Sequence, residues 1–119
     1  MGTVRLAEAQ TKVAPMYVYS FDFEPSALKA AHGAEIPFVF SNATSSPTAR
    51  PGAKEVEDAM SDAWIAFART GKPNHAGMPE WPTYNSTTRS VMVFNAKTEV
   101  VNDLRAQERK VWEGRQSVR

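Results

Sequence analysis

Met16-Tyr17-Val18-Tyr19-Ser20-Phe21-Asp22-Phe23 is the stretch of this 119-residue chain on which the fold turns. Aromatic and β-branched residues dominate it, and both favour an extended, pleated backbone. Tyr17, Tyr19, Phe21 and Phe23 share one face at period two. Met16 and Val18 make the start of the other face apolar as well. A strand that is apolar on both faces needs cover on both sides, so it is expected in the middle of a layered sheet. Upstream, Val4 to Lys12 is rich in Ala, Glu and Gln and predicts a helix, which Pro15 closes off.

Downstream, Glu24 to Pro37 reads as a long loop punctuated by Pro25, Gly33 and Pro37. Ile36 to Phe40 is a short apolar run. Asn42 to Ala53, rich in Ser, Thr, Pro and Gly, reads as an exposed loop. Val56, Met60, Ala63, Trp64 and Phe67 then recur at helical spacing, which predicts a helix over Glu55 to Thr70. Gly71 stands where a C-terminal cap belongs, and Pro73 prevents continuation. Val91 to Phe94 reads as a strand, Asn95 to Thr98 as a turn, and Glu99 to Val101 as a return strand. Asn102 or Asp103 is placed to cap a last helix from Leu104 to about Gly114. The order is that of an α/β fold, forming one unit over residues 1–119. One long strand and two short ones make too little sheet for a stable domain, so the fold reads as incomplete on its own.

Composition narrows the function. The net charge is +1, which lacks the basic footprint of a nucleic-acid binder, so no nucleic-acid partner is expected. Residues 1–60 carry 5 Lys and Arg against 7 Asp and Glu, and residues 61–119 carry 9 against 6. The basic end reads as a solvated helix with cations near its C-terminus, where the helix dipole favours them. There is no Cys, hence no disulfide framework, thiolate metal site or cysteine nucleophile. No apolar run reaches the length of a membrane span.

The chemistry-bearing residues are few. His32 lies in Ala31-His32-Gly33-Ala34-Glu35-Ile36-Pro37, in the loop that follows the strongest strand. Functional groups in α/β sheets gather at the C-terminal ends of strands. An imidazole there suits general-base work, since its ordinary pKa of about 6.5 lies near working pH. Position and chemistry alone leave two readings open, a general base and an ordinary loop histidine. His75, after the helix stop, reads as a solvated loop residue. Two histidines and no cysteine make a zinc site improbable, and no metal or cofactor is expected. No two of the six glycines are four apart, so Gly-x-Ser-x-Gly does not occur. Trp64 and Phe67 read as core.

At His32 the sequence resembles a family. Tyr17-Val18-Tyr19-Ser20-Phe21 followed by Ala31-His32-Gly33-Ala34-Glu35-Ile36-Pro37-Phe38-Val39-Phe40 is similar to the C-terminal part of type-B carboxylesterases, which include para-nitrobenzyl-esterase-like enzymes and cholinesterases. Trp64 to Asn74, with its Thr70-Gly71-Lys72-Pro73-Asn74 ending, Trp81-Pro82-Thr83-Tyr84, Arg89 to Phe94 and Val101-Asn102-Asp103 match in the same order. The resemblance covers about Val4 to Trp112. It implies an α/β-hydrolase fold and a serine ester hydrolase acting on a small ester. Of the triad, this chain would supply only His32. Gly33 and Glu35 would support the histidine loop, and Glu35 is not expected to be the triad acid. The nucleophile, the acid and the oxyanion loop would lie in an N-terminal portion, so that this chain alone is expected to be inactive. An esterase-like adhesion or interaction module is the alternative. The missing cysteines favour a cytoplasmic relative over a secreted one.

Overall fold

The computed structural model describes residues 2–45 and 49–113. Its elements run α1 (Gly2–Gln10), β1 (Tyr19–Phe21), α2 (Ile36–Val39), a 3-10 turn (Ala43–Ser45), α3 (Ala53–Thr70), β2 (Ser90–Phe94), β3 (Glu99–Asn102) and α4 (Ala106–Glu113). The expected segment Leu104 to about Gly114 is thus helical over Ala106–Glu113, and Gly114 lies outside the described residues. β1 pairs in parallel with β2, setting Tyr19 beside Met92 and Phe21 beside Phe94. β2 pairs antiparallel with β3 across the Asn95 to Thr98 turn. The sheet order is β1-β2-β3.

The central strand is therefore β2, buried at every position, and not β1. β1 regularly pairs over only three residues and forms one edge of the sheet among the described residues. The extended path around it is longer. The Tyr84 amide donates to the Met16 carbonyl at 2.7 Å, and the Met92 amide donates to that of Val18 at 2.9 Å. The period-two face is as expected. Tyr17 and Tyr19 meet Trp81 edge-on, and Phe21 and Phe23 pack on Phe38.

Helices lie on both faces of this sheet. α3 buries Val56, Ala59, Met60 and Ala63 against Met92 and Phe94. It ends as predicted, with Gly71 at φ 76° donating its amide to the Phe67 carbonyl at 2.8 Å. Only glycine takes that left-handed backbone without a Cβ penalty. On the other face α1 brings Val4 and Ala7 towards Val18, Val91 and Tyr84 around a cleft of about 50 Å³.

The terminal helices owe more to charge than to burial. α1 buries only Ala7, and α4 buries nothing. Arg89, on the loop before β2, donates to Glu8 of α1 and lies 3.8 Å from Glu113 of α4. Asp103 does not cap α4. Its carboxylate instead accepts from Nε and Nη2 of Arg109 at 2.7 and 2.6 Å. That hydrogen bonding holds the Asp103 carboxyl below its ordinary pKa. His75 is not a solvated loop residue either. Its Nδ1 accepts from the Gly77 amide at 3.1 Å, which leaves the proton on Nε2 to reach the Ala59 carbonyl at 3.0 Å.

Two outcomes check this account. Phe94 is fully buried between Tyr19, Trp64 and Trp81. Phe94→Ala should lower unfolding free energy by about 3–5 kcal/mol in urea titration, and a loss under about 1 kcal/mol would refute this packing. The stabilisation from Asp103 is complete above its ordinary pKa of about 3.9 and fades as pH falls through the lowered folded value. Amide exchange on acidification should therefore loosen α4 before α3. Simultaneous loss of both helices would contradict that order.

Candidate active site

The loop between β1 and α2 is shaped by local hydrogen bonds rather than by burial. The Ala34 amide donates to the Ala31 carbonyl at 3.0 Å, and the Ile36 amide to that of Gly33 at 3.2 Å. These overlapping turns need a left-handed residue, and Gly33 supplies it at φ 78°. A Cβ at Gly33 would meet only Ile36 Cδ1, at 3.6 Å, so the requirement is one of backbone and not of space. Glu35 then starts α2, its carbonyl accepting the amides of Phe38 and Val39 at 2.9 and 3.1 Å. The apolar run Ile36 to Phe40 is thus a helical turn, contrary to a loop reaching Pro37. Phe38 is its anchor, buried against Phe21 and Phe23.

His32 is exposed and makes no hydrogen bond among the described residues. It lines an open cleft of about 370 Å³ with Gly33, Leu28, Pro37, Phe38 and Arg50. Glu35 lines a different cleft, beside Tyr19, Trp64 and Phe40. The structure therefore brings His32 and Gly33 together and turns the Glu35 carboxylate towards Tyr19. Burial raises the Tyr19 phenol above its ordinary pKa, and the Glu35 charge adds to the shift. The one nearby serine on β1, Ser20, donates its hydroxyl to Asp22 and is no free nucleophile. No group of three His, Cys, Asp or Glu side chains close enough to hold a metal ion occurs among the described residues.

An exposed imidazole that makes no hydrogen bond to a carboxylate among the described residues can still accept and donate a proton. Sequence reasoning found this residue but missed Glu57, which is 2% exposed in α3 and grips Thr44 of the 3-10 turn. A carboxylate among the buried α3 positions was the available signal.

The model of the carboxylesterase family matches residues 1–112. The chain belongs to the carboxylesterase family. It is 31% identical over 115 residues to a para-nitrobenzyl esterase of Bacillus subtilis, a match covering 90% of this chain and 23% of that protein. It is 31% identical to a human cocaine esterase over 92% of this chain and 21% of the relative. Among solved structures it superimposes on a Geobacillus stearothermophilus carboxylesterase with a TM-score of 0.80 and 39% identity, over 93% of this chain and 25% of that one. The carboxylesterase-family chain thus spans about a quarter of the length of the relatives it matches, a fragment of their α/β fold.

Gly33→Ala should cost about 1–2 kcal/mol through its left-handed backbone. It should also speed amide exchange at Ala34 and Ile36. Unchanged exchange there would show that the turn does not depend on glycine.

Proposed function

We propose that this chain is the C-terminal part of a serine ester hydrolase, and that His32 is its general base and acid. In that role the His32 imidazole takes the proton from a serine hydroxyl as the serine attacks the ester carbonyl. It then returns the proton to the leaving alcohol. Gly33 sets the backbone of the loop, and Glu35 joins that loop to α2. The serine, the acid that orients His32 and the oxyanion donors come from the preceding portion of the polypeptide. That portion also supplies the strand that pairs with the free edge of β1.

The observation that carries this reading is the placement of His32. It is exposed in the lining of an open cleft, on the loop that follows the parallel strand β1, in a chain of the carboxylesterase family. Relatives named for ester cleavage, among them a para-nitrobenzyl esterase, support the substrate class.

In the complete polypeptide, His32→Ala should lower kcat for a para-nitrophenyl ester by about 10⁴-fold or more. The 119-residue chain by itself should hydrolyse an alkyl ester no faster than free imidazole. Retained turnover in the His32→Ala enzyme would overturn the assignment, and a complete polypeptide without any turnover would favour an interaction module.

A further inference from the structure

Glu57 is a carboxylate placed where an apolar residue belongs. Its neighbours along the inner face of α3 are Val56, Met60 and Ala53, and it is as buried as they are. Its two oxygens accept from the Thr44 amide at 2.9 Å and the Thr44 hydroxyl at 2.7 Å. Burial alone would raise its pKa. The bonds from Thr44, the Ala43 amide and the nearby Lys54 charge outweigh that and hold the carboxyl below its usual range.

Thr44 is the far end of a hydrogen-bonded unit that begins at the histidine. Ala31 to Ile36 forms the two turns described above. The Phe40 amide donates to the Ile36 carbonyl at 3.2 Å, the Asn42 amide to that of Pro37 at 2.9 Å, and the Ser45 hydroxyl to that of Asn42 at 2.7 Å. Two kinds of attachment fix this unit to the rest of the fold. One is apolar packing, the Phe38 ring among Phe21 and Phe23 with Val39 and Ala43 against the same core, which is non-directional. The other is Glu57, whose paired, charge-assisted bonds are directional.

We infer that Glu57 is the positioning residue of the His32 loop: from inside α3 it fixes Thr44 and so sets the orientation of a unit otherwise held by apolar packing. Its catalytic consequence rests on the reading of His32 as the general base. With Glu57 removed, only the non-directional packing of Phe38, Val39 and Ala43 holds the unit, and His32 at its other end shifts. A misplacement of about 1 Å at a reacting group can cost roughly 100-fold in rate.

The test uses the complete polypeptide, with kcat expressed per titrated nucleophile so that loss of folded protein does not count. Glu57→Ala should lower kcat about 10- to 100-fold with KM changed by less than about 2-fold. Glu57→Gln should recover most of the loss, because its amide can still accept from the Thr44 N–H and donate to the hydroxyl. Thr44→Val, which removes one of the two bonds and leaves α3 untouched, should fall between, and it decides the question if Glu57→Ala does not fold. Wild-type kcat in both Glu57→Ala and Thr44→Val, or in Thr44→Val alone where the other does not fold, would overturn the inference. So would a loss that glutamine does not restore. In either case a dead His32→Ala enzyme would leave the role of His32 standing. Turnover surviving His32→Ala would instead remove the reading beneath it.

Discussion

A parallel strand pair has to be closed by a crossover, because a hairpin makes only antiparallel neighbours. β1 and β2 lie side by side in parallel, so everything between them is committed to crossing the sheet. That segment contains the histidine loop, α2, the 3-10 turn and α3. The histidine stands on the loop beyond the C-terminal end of β1, where the chain has left the strand to begin its return. α3 covers one face because its buried stripe is what pulls the crossover onto Met92 and Phe94. Remove that pairing and neither the loop nor its anchors have a fixed place.

The same pairing has a second edge. Val18 and Asp22 bond to β2 through the Val18 carbonyl and the Asp22 amide. The alternation of a parallel ladder leaves the N–H and C=O groups of Tyr19 and Phe21 pointing the other way. Around that edge Tyr19, Ile36, Phe40, Ile65 and Phe67 are exposed. An unpaired edge bordered by apolar side chains is the form a sheet takes where a further strand and its covering helix belong. The proposed reading supplies both from the preceding portion of the polypeptide. On that reading His32 is the one triad member that this chain contributes.

Much of this was legible in the sequence because local rules and packing agree there. The aromatic alternation from Tyr17 to Phe23, the α3 stripe from Val56 to Ala63, its Gly71-x-Pro73 ending and the β2–β3 hairpin follow patterns that packing reinforces, whereas Phe67, read as core, is exposed. β1 reads as an interior strand and has a neighbour on one side only among the described residues, because apolar character on two faces reports cover and not which segment supplies the second neighbour. Ile36 to Phe40 hid its helical turn, since so short a run carries no periodicity and Pro37 suits a first helical turn as well as a loop. Asp103 read as a cap because its type and place were right, but Arg109, six residues on, offers a charged partner. The bonds of Glu57 and His75 were illegible for one reason. Their partners, Thr44 and the Ala59 carbonyl, are 13 and 16 residues away, and no local pattern announces such a bond.

Amide exchange at Tyr19 and Phe21 tests the central claim most directly, comparing the 119-residue chain with the complete polypeptide. If this chain is one piece of a larger sheet, both amides exchange freely in the chain alone, and the added strand slows them by about 100-fold or more. Equal exchange in the two forms would show that β1 is an edge in the whole protein as well, and would contradict the account.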